Sequence, residues 1–417
     1  MKKYLSLSFL IICALSMNTI KAQTVSDTAI MGPGYANDVY YSFENGVVKT
    51  DPRSNWDIAF YTSVWSAGVI ANDGNGVLIY TYPNADTSGW NSVSITGIDT
   101  WTPMYNSDTI WEDGAFNRNS LGHPDYGWGV YNMISHDVVG DSLYIVQLPN
   151  GSHKKLWLQR KNSVANTFYF KYANIDGSNE MNVVLNANDY STKLFVYYSL
   201  MIGQVVDREP AKDSWDINFS RYMAIVYDLE GNPSYYPVVG ILQNTSIGAN
   251  RFQPVNEDFE DWTAAPFELY KTRIGHNWKT FDMNSFSWLI EENLAYFVQT
   301  QEGNVYKFVP TYFGGTANGK TGFNKKVVSL VGSNEINPTN SFVLYPNPAG
   351  SNLTIAGIEH QSGNIIIYDQ LGKQVFHQII ITGQSHVNLD VSGFAKGLYV
   401  VRLISEQNET VQKLMVQ

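Results

Sequence analysis

Short apolar and aromatic runs, broken every few positions by Gly, Asn or Asp, set the pattern of this chain. "LYIVQL" (Leu143 to Leu148) is aliphatic or aromatic at every position except Gln147, the pattern of a strand covered on both faces. "NG" and "EG" beside such runs predict hairpin turns. Helical periodicity is scarce. "EDFEDWTAAPFELYKTR" is the best helical stretch, and Pro266 interrupts it. The segment from Thr102 to Pro124, rich in Asn, Asp and Gly, predicts a loop.

The strand-like phrases recur in order. "YYSFENGVV" (Tyr40 to Val48) is answered by "YYSLMIGQVV" (Tyr197 to Val206), and "NWDIAF" (Asn55 to Phe60) by "SWDINF" (Ser214 to Phe219). "GWGVYNM" (Gly127 to Met133) is answered by "NWKTFDM" (Asn277 to Met283), both fitting Trp-x-x-aromatic-Asn/Asp-Met. Gln147, Gly151 and Lys155 recur at one offset as Gln299, Gly303 and Lys307. This order over about 150 residues predicts a tandem duplication. The expected fold class is all-β: two tandem related antiparallel β domains, 23–190 and 191–330, then a small β-sandwich. Within each repeat Trp56 and Trp215 are expected to bury their indoles, and Asp57 and Asp216 to accept backbone hydrogen bonds at a turn.

At 417 residues the chain has room for two or three domains, and 44% hydrophobic content argues against general disorder. Residues 1–22 read as a secretory signal: Lys2 and Lys3, the apolar run Tyr4 to Leu15, then Ala22 before the expected cut. Cys13, the chain's one cysteine, lies inside it, so disulfides, thiolate metal sites and cysteine nucleophiles are excluded from the mature protein. Loss of this segment removes three lysines and no acid, leaving 24 basic against 38 acidic residues, a net −14. That balance excludes a basic footprint for nucleic acid, and no later segment is apolar enough for a transmembrane span.

A polar linker, 331–340, precedes a segment of different character at 341–417. Its strands alternate with Gly turns. Three phrases stand out: Tyr345-Pro346-Asn347-Pro348, Tyr368-Asp369-x-x-Gly372 and Lys396-Gly397-x-Tyr399, with Lys413 before an apolar end. These residues closely resemble the type A C-terminal sorting domain of the type IX secretion system. The resemblance implies that the partner of this segment is the secretion machinery. The implied location is outside the outer membrane of a Gram-negative bacterium, attached or released.

The duplicated unit, through "WDIAF", "GW-x-x-Y" and "YIVQ-x-x-x-G-x-x-x-K", resembles the HmuY-type haem-binding proteins. That resemblance implies capture of haem between two axial side chains, commonly His and sometimes Met, in an apolar slot. The candidate ligands are His136, His123, Met133, Met283 and His276, with no other metal expected; His136 is the first choice. The alternative is an adhesive or structural surface protein that contacts glycan or protein. Trp65, Trp90, Trp101 and Trp111 would then stack on sugars.

No catalytic residues are assigned. Gly140-Asp141-Ser142-Leu143 spells an esterase signature, but no histidine carries an Asp three residues before it, so a turn is the simpler reading. The acids of "NEDFEDW" (Asn256 to Trp262) read as a solvated loop rather than paired glycosidic carboxylates. "NDGNG" (Asn72 to Gly76) lacks a full calcium-loop pattern and is expected to be a hairpin turn. Phosphate-loop, His-Glu-x-x-His and dinucleotide motifs are absent from the sequence.

Overall fold

The computed structural model describes residues 23–330 and 342–417, apart from 229, 359–361, 371 and 406–408. The expected signal segment and the whole of the linker lie outside the described residues.

Antiparallel strands dominate. The body begins with β1 (Val25–Ile30), β2 (Asn37–Ser42), β3 (Gly46–Pro52), β4 (Ile58–Tyr61), β5 (Val69–Ala71) and β6 (Leu78–Thr81). After a long irregular segment come β7 (Gly129–Tyr131), β8 (Asp137–Gly140), β9 (Tyr144–Gln147), β10 (His153–Asn162) and β11 (Thr167–Asn174). The second series runs β12 (Met181–Asn186), β13 (Phe195–Ser199), β14 (Gln204–Val206), β15 (Ile217–Tyr227), β16 (Pro233–Gln243) and β17 (Gly248–Phe252). It closes with β18 (Lys279–Asp282), β19 (Ser287–Ile290), β20 (Ala295–Gln299), β21 (Val305–Phe313) and β22 (Lys320–Ser329). The most helix-like stretch of the sequence, "EDFEDWTAAPFELYKTR", forms only a single 3-10 turn at Trp262–Ala264, the interruption expected of Pro266.

Pairing does not follow the order of the chain. Sheet β14-β13-β4-β5 takes its first hairpin from the second repeat, and sheet β16-β15-β2-β3 takes its own from the first. Likewise β1 joins β22 at the edge of β1-β22-β21-β20-β17. One apolar core therefore draws on residues from Ile58 to Leu200. The other joins Ala29–Phe43 to residues from Ile217 to Phe323. The sequence boundary at 190 separates the repeats along the chain; in space each repeat lends its opening hairpin to the other.

The recurring phrases explain how that exchange is held. Asp57 accepts from the Leu200 amide at 2.7 Å and the Ser199 hydroxyl at 3.1 Å, and Asp216 from the Phe43 amide at 2.7 Å. Each carboxylate thus pins the hairpin of the opposite repeat, the turn contact expected of it. Trp56 stands edge-on to Tyr197 at 4.9 Å, and Trp215 to Tyr40 at 5.1 Å. All four rings are buried where the two sheets meet. The recurring Lys155 and Lys307 turn inward to cap backbone carbonyls, Trp90 in the first unit and Glu257 with Phe259 in the second.

Residues 102–124 connect the units rather than hanging free. Trp111 donates its indole N–H to the Gln243 carbonyl at 2.7 Å, and Asn117 bonds Val69, Ala67 and Tyr126. "NDGNG" is not the expected hairpin turn: β5 and β6 lie in different sheets, and the 3-10 turn Asp73–Asn75 crosses between them. Gly74 abuts β15, where a Cβ would fall 1.9 Å from the Arg221 carbonyl oxygen.

The terminal domain packs a sheet of β23 (Val343–Tyr345), β24 (Asn352–Ala356) and β27 (His386–Asp390) on one of β25 (Gly363–Tyr368), β26 (Gln374–Ile380), β28 (Gly397–Ser405) and β29 (Glu409–Val416). Asn347 clasps the last strand, donating to the Lys413 carbonyl at 2.7 Å and accepting from the Met415 amide at 2.8 Å. Pro346 and Pro348 flank it. Gly372 holds a positive φ of 78° in the turn closed by Asp369, where glycine is unstrained. Tyr399 packs on Phe394 and donates to the Ala395 carbonyl, and Gly397 opens the same strand. The domain rests on the body: Ser385 and His386 both engage Glu112, at 2.5 and 2.6 Å. Gly383 lies beside the indole of Trp65.

Candidate functional site

Two hairpins built alike carry most of the sequence candidates. In the first, β7 to β8, the Asn132 side chain accepts from the Ile134 and Ser135 amides at 2.8 and 3.1 Å. In the second, β18 to β19, Asp282 does the same for Asn284 and Ser285 at 3.0 and 3.2 Å. Behind them Trp128 and Trp278 are fully buried and donate to the Ala67 and Gly275 carbonyls. The phrase Trp-x-x-aromatic-Asn/Asp-Met is thus an anchor, a turn and a tip.

The tips put apolar groups in water. Met133 and Ile134 are 71% and 91% exposed, Met283 and Phe286 70% and 75%. His136 and Phe286 occupy the same turn position, at φ of 59° and 51°. A side chain there carries a cost of roughly 1–2 kcal/mol that glycine would avoid.

Around the first tip the structure brings together three of the candidates. Tyr131 shares a 2.7 Å hydrogen bond with His136 Nδ1, and the His123 ring stands 5.4 Å from the same tyrosine. Met133 lies on the turn between them. The other two candidates are elsewhere. Met283 caps the second hairpin. His276, half-buried, shares a hydrogen bond with Tyr222 at 3.3 Å; burial, then the charge of Lys279, push it down to about 4.

The two cavities measured, about 60 and 70 Å³, are far below the ~300–1,000 Å³ of pockets that enclose drug-sized ligands. Neither would enclose a porphyrin. Of the residues at the first tip, the two histidines and Met133 could offer donors only to a haem lying against the outer face. Among the described residues no group of three His, Cys, Asp or Glu is placed to hold a metal ion.

The other candidates disperse. Ser142 donates to its neighbour Asp141 at 2.8 Å. In the acidic segment Glu260 pairs with Lys326, and the backbone of Glu257 and Phe259 receives Lys307. Of the four tryptophans proposed for sugar stacking, Trp90 is buried and Trp111 is bonded at the seam between the units, which corrects their expected exposure. Trp65 is exposed but lies beside the terminal domain.

Sequence reasoning missed the seam itself. Arg53 and Arg208 both close on Asp38 at 2.7 Å, and all three are buried. Glu209 accepts the Leu194 and Phe195 amides, and burial raises it to about 7. Only Arg208-Glu209, polar residues just after an apolar hairpin, hinted at it.

Comparison with known proteins bears on the terminus. Residues 343–417 match the family of secretion system C-terminal sorting domains. That match supplies the address. The chain is a type IX secretion cargo, delivered to the cell surface or the extracellular space. No helix among the described residues is long and apolar enough to cross a membrane. No curated protein matches the chain. One solved structure, the extracellular domain of a one-component system from B. thetaiotaomicron, shares 9% identity over 66% of this chain, with a TM-score of 0.13. The chain spans about half the length of that structure, at 48%; a superposition so loose carries no argument about the body.

Proposed function

We propose that the body is a non-enzymatic binding protein that works by contact outside the cell, its two hairpin tips touching a protein partner. The observation that supports this is the pair of like-built turns, each exposing apolar side chains that a soluble monomer gains nothing by displaying. Met, Ile and Phe suit a protein surface better than a sugar face, and Met adapts to varied partners. The test uses Met133→Ser with Ile134→Ser, and Met283→Ser with Phe286→Ser. Retention of the released protein on producer cells and on immobilised extracellular proteins should fall several-fold in both pairs, with an unchanged melting temperature. Retention equal to the parent in both would end the tip reading.

A second reading, haem capture, is favoured by His123 and His136 flanking Tyr131. Haemin titration should then give a saturable Soret shift at one equivalent, since Phe286 replaces the histidine at the second tip. His136→Ala should abolish it. A response no larger than that of an unrelated acidic protein would retire haem.

A further inference from the structure

The seam between the units holds a cavity of about 60 Å³ whose wall carries more hydrogen-bond donors than the protein uses. Lys271 lines it and is 6% exposed. Among the described residues its Nζ donates no hydrogen bond; its partner is the Trp111 ring, 4.9 Å away. Burial lowers its amine to about 8, with Asp73, Asp108 and Asp113 opposing the shift from a distance. A buried ammonium in this state ordinarily finds acceptors. Trp56 adds an indole N–H that is buried and unpartnered. The Ser107 hydroxyl accepts from the Thr109 and Ile110 amides, which leaves its own proton to donate.

Charge points the same way. Four basic residues line the cavity, Arg53, Arg208, Arg221 and Lys271, against the acids Asp38 and Asp73, with Asp108 and Asp113 acting on Lys271 from beyond the wall. Asp38 is already claimed by both buried arginines, and Asp73 by the Asn106 amide at 2.9 Å. Asn218, also on the wall, has an Oδ1 without a partner. The volume suits about two waters or one group of about four heavy atoms.

We propose that this cavity binds a small oxyanion of the carboxylate type, of the size of formate, acetate or bicarbonate. Its oxygens take the Lys271, Trp56 and Ser107 donors. The free Asn218 oxygen favours an oxyanion that itself carries a hydroxyl, so bicarbonate is bound more tightly than acetate. Because strands of both repeats line the cavity, occupancy ties the units together and stabilises the folded body in proportion to ligand concentration.

The full chain is titrated with ¹³C-bicarbonate and ¹³C-acetate at constant ionic strength, following the ligand resonance and the melting temperature. Saturable binding is expected, weakened tenfold or more in Lys271→Met, with Trp fluorescence changing in parallel. If Lys271→Met fails to fold, Trp56→Phe, which keeps an aromatic ring and removes the N–H, should weaken bicarbonate several-fold. Equal responses in parent and variant, or no saturable binding of either ion to the parent, would overturn the assignment and leave a cavity that holds water alone.

Discussion

At the scale of single residues, the repeated Trp-Asp pair does its work by reaching across. Asp216 sits in a buried site where desolvation, and then the nearby Glu302 and Glu44, raise it to about 7 despite the Phe43 amide. An acid with a raised folded value favours folding in its protonated form, so its contribution is complete below the ordinary aspartate value near 4 and is lost as pH climbs through 7. Urea unfolding of Asp216→Asn should therefore lose the decline in stability that the parent shows between pH 4 and 7. Trp215→Ala removes one of the buried indoles at the seam and should cost about 3–5 kcal/mol in the same assay. Sequence alone marked these positions as structural, because an indole beside a short acid in a strand has few other uses. The origin of their partners was hidden, since Asp57 and Asp216 bond residues more than 140 positions away. Lys271 had no sequence signal at all: a lysine among aromatics reads as surface until the fold buries it.

At the scale of elements, strands were legible wherever apolar residues alternated or ran continuously, and the terminal sandwich was legible through its turn residues. Long-range pairing was not, because hairpin patterns look alike whichever neighbour they join. "NDGNG" shows the difficulty. Its composition is that of a hairpin turn, yet it bridges two sheets, and Gly74 is required there because β15 leaves no space. Gly74→Ala forces backbone against backbone and should cost about 1–3 kcal/mol or more, read as a lower melting temperature with unchanged secondary structure. His136, by contrast, holds a conformation that glycine adopts freely. His136→Gly should raise the melting temperature slightly, which separates backbone strain at the tip from whatever the imidazole binds.

At the scale of the whole molecule, three packed bodies meet through buried contacts. Glu112 is where the terminal domain touches the body: burial alone would raise it, and His386 with Ser385 and Ser66 more than offsets this and holds it below the usual glutamate value. The contact is complete above that usual value and is lost as pH falls through the lowered one. Small-angle scattering of Glu112→Ala at neutral pH should show a more extended particle than the parent, with both bodies still folded. Removal of residues 25–52 should act differently. It strips β1 to β3 from the second unit and leaves the first core, residues 58 to 200, intact. Two separate melting transitions should replace one. The same three strands also impose a schedule on the protein. They are synthesised before β15, the partner of β2, which follows about 160 residues later, a delay on the order of ten to thirty seconds at ordinary rates of chain synthesis. Throughout that interval Val39, Tyr41 and Phe43 lack the core they share with residues 217 to 323, and the nearest β15 can belong to another copy. Crowded export should therefore yield some interlocked dimers, and slower production fewer.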